Sequence, residues 1–142
     1  MHSKEEKLKA FEQLLEIMDE LKEKCPWDRV QTMDSLSNLT IEETYELADA
    51  IMDRQMENIR EELGDLILHI VFYAKIGSEK EAFDIADVIN SINRKLVFRH
   101  PHVFGDRKVR DAGEVIENWE EIKMKEKNRS VLSGVPASLP EL

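Results

Sequence analysis

Apolar residues return at helical spacing along most of this chain. From Lys4 to Lys24, Leu8, Phe11, Leu14, Leu15, Met18 and Leu21 fall on one face, which predicts a first amphipathic helix. Cys25-Pro26-Trp27-Asp28 interrupts it, because Pro26 disfavours helix at Cys25. A second helix is predicted from near Thr32 to about Asp53, and a capping-box pattern at Thr40 and Glu43 offers a later start. The third runs from about Met56 to Ile76 on a stripe of Ile59, Leu63, Leu66, Ile67, Ile70, Val71 and Ala74, with Gly77 suited to its C-terminal cap. The fourth runs from about Lys80 to His100, with Ser78 and Glu81 as its cap pair and Ala86, Ile89, Ile92 and Leu96 as its core face; Pro101 stops it. The fifth covers about Gly113 to Lys127, capped by Asp111. Residues 128–142, with Gly134, Pro136 and Pro140, read as an extended arm. No run of strict alternation is present, so the expected fold is all-α: an antiparallel bundle of about five helices in a single domain over 1–142.

Composition narrows the class of function. In 142 residues there are 20 Lys+Arg and 30 Asp+Glu, a formal charge of −10, which argues against a surface for polymeric nucleic acid. The hydrophobic share of 42% is too high for a disordered acidic chain, and no apolar run reaches membrane-spanning length. Met1 to Lys9 is charged and lacks a signal-peptide core, and the single cysteine fits a reducing compartment, so a cytoplasmic protein is expected. The charge is unevenly placed. Glu42–Asp65 holds nine acids and two bases, net −7; Arg94–Arg110 holds six bases and one acid, net +5.

In the acidic block, Glu43 and Glu46 lie three apart on the second helix, and Glu62 and Asp65 three apart on the third. The short connection at Arg54 and Gln55 makes the two helices antiparallel neighbours, so the carboxylate pairs can confront each other. Converging carboxylates repel, and a divalent cation relieves this; an all-oxygen set favours Mg²⁺ or Mn²⁺ over zinc. The plainer alternative is a pair of wet acidic faces. Gly64, inside the third helix, suggests close backbone approach. A di-iron bundle wants two E-x-x-H pairs, and no second histidine matches His69, which reads as a packed or hydrogen-bonded residue.

In the basic block, Lys95 and Arg99 share a helix face, as do Trp119 and Lys123 on the fifth helix. Lys and Arg suit phosphate oxygens, and an indole suits a base; helix-dipole complementation and core anchoring are the structural alternatives. Trp27 and Gln31 offer stacking and hydrogen bonding to a base, against roles as staple and cap. Cys25 lacks an evident base and reads as a small buried thiol. His100-Pro101-His102 reads as a helix stop more readily than a metal dyad. With no Gly-rich phosphate loop and no G-x-S-x-G elbow, phosphate handling falls to metal and basic side chains.

Taken in order, Cys25-Pro26-Trp27-Asp28 with Gln31-Thr32, Glu43/Glu46, Glu62/Asp65, Arg99-His100-Pro101-His102-Val103-Phe104-Gly105, Ser130-Val131-Leu132 and Gly134-Val135-Pro136 to Leu142 resemble the MazG-type nucleoside triphosphate pyrophosphohydrolases. The resemblance covers about Leu14 to Leu142, although many relatives are longer, with two such domains. It implies a bundle completed by dimerisation and Mg²⁺-dependent hydrolysis between the α- and β-phosphates, giving a nucleoside monophosphate and pyrophosphate. It implies Glu43, Glu46, Glu62 and Asp65 as metal ligands, Lys95, Arg99 and Lys123 on phosphates, and Trp119 near the nucleotide. Glu42 or Glu61, each beside a ligand, is the candidate general base. The alternatives are an all-α hydrolase specific for dUTP or dCTP, and a non-catalytic helical dimer that binds a partner protein.

Overall fold

The computed structural model describes the backbone of residues 1–132 and the side chains of residues 1–128. Among them are seven helices and no strand: α1 (Lys4–Lys24), α2 (Pro26–Val30), α3 (Met33–Met52), α4 (Met56–Glu79), α5 (Ile85–Arg99), α6 (Pro101–Phe104) and α7 (Ala112–Leu132). The expected all-α fold is thus what forms. The five long helices are those predicted, and α2 and α6 are short additions, each opened by a proline at a position where its missing N–H costs nothing. The chain divides into two compact units, Met1–Val88 and Ile89–Leu142.

In the first unit, α1 has the predicted bounds. Ser3 and Glu6 form a reciprocal capping box at its start, with bonds of 3.0 and 3.1 Å. Lys22 near its end is buried, and its ammonium donates to the carbonyls of Asp28 and Arg29, both at 3.3 Å, and pairs with Glu79 at 3.2 Å. Three donors thus find three acceptors, two of them carbonyls in the last turn of α2. The same ammonium lies 5.7 Å from the Phe72 ring centre, and Trp27 meets that ring edge-on at 6.4 Å. Cys25 is half-buried rather than enclosed.

Helix α3 starts at the earlier of its two predicted sites. Thr32 and Ser35 cap it reciprocally, at 2.8 and 3.0 Å, and Thr40 lies in its interior. Both α3 and α4 end in Schellman motifs. At α3, the N–H groups of Arg54 and Gln55 donate to Ile51 and Ala50 carbonyls; at α4, those of Glu81 and Ala82 donate to Ser78 and Gly77. The left-handed residues are Arg54 (φ 56°) and Glu81 (φ 57°), not glycines. Gly77 is therefore not the cap. It is buried within α4, where an added Cβ would sit 2.6 Å from a Phe83 ring carbon. The predicted cap pair Ser78/Glu81 is replaced by Asp84 and Asp87, which exchange two 3.0 Å bonds and delay α5 to Ile85. The core of this unit is Met18, Leu36, Val71, Phe72 and Ile76, with Phe11, Leu14, Leu15, Met33, Leu68 and Ile85 against it. Pairing of α3 with α4 is the most extensive between elements. Contacts from Thr40 to His69 and Tyr73, and from Glu43 to Glu62 and Asp65, run in opposite chain directions, so the two are antiparallel.

In the second unit, Asp111 caps α7 as predicted, accepting from the Glu114 N–H at 2.9 Å. Ile122 and Asn118 of α7 are buried. α7 runs on to Leu132, past the expected end at Lys127, and the rest of the expected arm, 133–142, lies outside the described residues. No described helix is long and apolar enough to cross a membrane.

Candidate metal centre

Nearly three turns into α3 and about two turns into α4, the predicted carboxylates meet. Glu43, Glu62 and Asp65 each offer an oxygen, and these atoms lie within 4.8 Å of one another. The spacing explains this: Glu62 and Asp65 are three apart on α4, and Glu43 faces them from the antiparallel α3. Glu46 lies at the edge, exposed, close enough to act on both Glu43 and Glu62 electrostatically. Oε2 of Glu43 and of Glu62 is buried without a hydrogen-bond partner. Burial first, then the neighbouring Glu43 and Glu46 carboxylates, push the Glu62 carboxyl up to about 7. Glu43 is raised by burial and by the charges of Asp65 and Glu46. Buried, unpartnered oxygens of like charge in one place are what a divalent cation satisfies, so the donor set fits such an ion.

The remaining predicted residues distribute as follows. Glu42 and Glu61 are exposed and stand outside the three-carboxylate group, about 100° around their helices from the ligands beside them. Gly64 has open space around it: an added Cβ meets nothing within 4 Å, so close backbone approach within this chain does not explain it. His69 is hydrogen-bonded through Nδ1 to Thr40 at 2.7 Å, in agreement with its reading as a helix residue rather than a ligand. Trp27 is 53% exposed at its edge contact with Phe72. The Gln31 amide donates to the Trp27 carbonyl at 2.9 Å and accepts from Ser35 at 2.7 Å, linking α2 to the cap of α3.

The basic and aromatic residues belong to the second unit. Lys95 and Arg99 are half-buried on one side of α5. The Arg99 side chain, 12% exposed, donates to Glu126 at 2.9 Å, while its Nε is buried without a partner. On α7, the Lys123 ammonium lies 5.6 Å from the Trp119 ring centre, and the indole N–H is buried and unpartnered. His100 packs 5.9 Å from Trp119 and 5.4 Å from His102; its Nδ1 bonds to the Leu96 carbonyl at 2.6 Å, a helix-end role. Glu126 and Lys22 escaped the sequence reading because their partners lie far along the chain or are backbone carbonyls, which leave no local pattern.

The MazG nucleotide pyrophosphohydrolase domain family matches residues 31–104, more than half of the chain. The protein YabN of Bacillus subtilis, uncharacterised by name, is 47% identical over 98% of this chain and 30% of its own length. A nucleoside triphosphate pyrophosphohydrolase of Escherichia coli is 41% identical over 95% of this chain and 54% of its own length. The chain thus spans about half or less of these curated relatives. The crystal structure of a mazG-related protein from Thermotoga maritima superposes with a TM-score of 0.69, at 29% identity, over 80% of this chain and 98% of that one. With its all-α fold and a matched segment that contains every carboxylate of the α3–α4 cluster, this chain belongs to the MazG nucleotide pyrophosphohydrolase domain family.

Proposed function

We propose that this chain is a Mg²⁺-dependent nucleoside triphosphate pyrophosphohydrolase that cleaves between the α- and β-phosphates, releasing a nucleoside monophosphate and pyrophosphate. One observation carries the reading: three carboxylates within 4.8 Å, with two buried oxygens unpartnered, inside the segment matched to the MazG family. The name of the Escherichia coli relative supports it. Glu43, Glu46, Glu62 and Asp65 hold the ion, and their oxygen chemistry suits Mg²⁺, with Mn²⁺ as a substitute. When bound, the ion supplies charge neutralisation and Lewis-acid polarisation at the phosphates.

The chain's own residues supply the rest. Lys95, Arg99 and Lys123 bind phosphate oxygens, Arg99 through a guanidinium with one orphaned N–H. Trp119 takes the nucleotide's base region, and exposed Trp27, with Gln31 behind it, offers a second stacking surface. Glu42 or Glu61 accepts the proton of the attacking water. Residues 1–142 act as one MazG-like domain in a cytoplasmic homodimer, with free nucleotides and not nucleic acid polymers as substrate.

A panel of NTPs and dNTPs with Mg²⁺, its products identified, tests this. Monophosphate and pyrophosphate from several nucleotides are expected. Glu46→Gln is expected to keep the fold and lower turnover by more than about 100-fold, beyond the range for residues that merely support a ligand. Unchanged turnover in Glu46→Gln sinks the metal assignment. One strongly preferred nucleotide would point to a dUTP- or dCTP-type hydrolase. No turnover, together with no Mg²⁺-dependent rise in Tm, would point to a non-catalytic helical dimer.

A further inference from the structure

One helical turn from the carboxylates, α3 and α4 are tied by a hydroxyl hub. Thr40 Oγ1 lies 3.1 Å from the Leu36 carbonyl and 2.7 Å from His69 Nδ1, and it is hydrogen-bonded to the Tyr73 hydroxyl. A threonine hydroxyl has one proton and two lone pairs. The Leu36 carbonyl can only accept, so the Thr40 proton goes there. His69 Nδ1 and the Tyr73 hydroxyl must then both donate to Thr40. In the neutral His69 ring the proton therefore sits on Nδ1 and the lone pair on Nε2. All three side chains are half-buried, so each bond is shielded from competing water.

The place of the hub matters. Thr40 precedes Glu43 by three residues on α3, and His69 follows Asp65 by four on α4, so hub and carboxylates occupy successive levels of one seam. At this level two side-chain hydrogen bonds cross from α3 to α4, from His69 and Tyr73 to Thr40. The ion pairs of the first unit that join different helices, Lys22–Glu79 and Lys75–Asp19, tie α4 to α1 instead. Meanwhile Glu43 meets Glu62 and Asp65 across the same seam, so the separation of α3 and α4 sets how closely the three carboxylates approach. We propose that Thr40 is a positioning residue for the metal centre: its hub holds α3 and α4 close enough for Glu43 to share one cation with Glu62 and Asp65. This rests on the reading of those three residues as metal ligands.

The test is calorimetric titration of the whole chain with Mn²⁺, alongside circular dichroism and Tm. Thr40→Val is expected to stay helical and to weaken Mn²⁺ binding by about tenfold, the lower end of what loss of a supporting residue costs a metal site. Thr40→Ser keeps the hydroxyl, and His69→Gln keeps an N–H donor, so both are expected to bind close to wild type. Nitrogen NMR of His69 is expected to show the Nδ1–H tautomer. If Thr40→Val binds Mn²⁺ like wild type, whatever its Tm, the hub is only structural and the proposal is overturned. Should Thr40→Val fail to fold, Tyr73→Phe removes one of the two crossing bonds; weaker Mn²⁺ binding supports the proposal and unchanged binding overturns it. If wild type itself binds no Mn²⁺, the metal reading fails and takes this proposal with it, an outcome distinct from failure of the hub alone.

Discussion

Glu62 holds its proton into the neutral range because burial and the nearby Glu43 and Glu46 carboxylates disfavour its charge. This has a consequence for stability in the absence of metal. The folded state releases the proton near pH 7, and the unfolded chain near its ordinary 4.5. Between those values the folded state binds more protons than the unfolded one, so stability falls as pH rises through the window. Glu43, also raised, adds to the same slope. Urea unfolding of metal-free protein is expected to show a midpoint that declines from pH 4.5 to pH 7. In Glu62→Gln the decline should be shallower, and an identical slope in the variant would contradict the assignment. Of the site, the carboxylates were legible in sequence because two i,i+3 pairs on neighbouring helices leave a local pattern. The engagement of Gln31 with Trp27 and Ser35, and of Arg99 with Glu126, was not, since neither partner is announced by spacing.

The two glycines of α4 show how much of an element its sequence discloses. Both stand in a helix, where glycine is about 1 kcal/mol worse than alanine, and both invite a special reason. For Gly64 the expected reason, close backbone approach, is absent within the chain, since a Cβ there meets nothing within 4 Å. For Gly77 the reason is packing and not termination: a Cβ would press to 2.6 Å on the Phe83 ring. Opposite outcomes follow. Gly64→Ala is expected to stabilise by about 1 kcal/mol, and Gly77→Ala to destabilise by about 1–3 kcal/mol through overpacking, both read by urea unfolding. The long helices were legible because their apolar stripes repeat over several turns. Helices α2 and α6 span too few residues for any periodicity to register. The left-handed ends at Arg54 and Glu81 were hidden because glycine, the usual marker, stands elsewhere.

At the scale of the whole molecule, α3 and α4 carry apolar residues that stay exposed among the described residues. Ile41, Tyr45 and Met52 recur at helical spacing on α3, and Met56, Leu63, Ile67 and Ile70 on α4. Tyr45, Met52 and Met56 are 70%, 78% and 75% exposed, and Leu63 is 50% exposed. Exposed apolar surface on two packed helices is the kind that serves as an interaction site in a protein otherwise rich in charge. A second copy answers it most simply, because one patch can pair with itself about a twofold axis, turning two helices into a four-helix arrangement. In such an interface every substitution is made twice. Leu63→Glu with Ile67→Glu, four residues apart on one side of α4, would set four carboxylates into an apolar contact. Wild type is expected to run as a dimer in light scattering after size exclusion, with a urea midpoint that rises with protein concentration. The double variant should run as a monomer with a midpoint independent of concentration. Equal masses and concentration-independent midpoints for both would mean that this face is not where two copies meet.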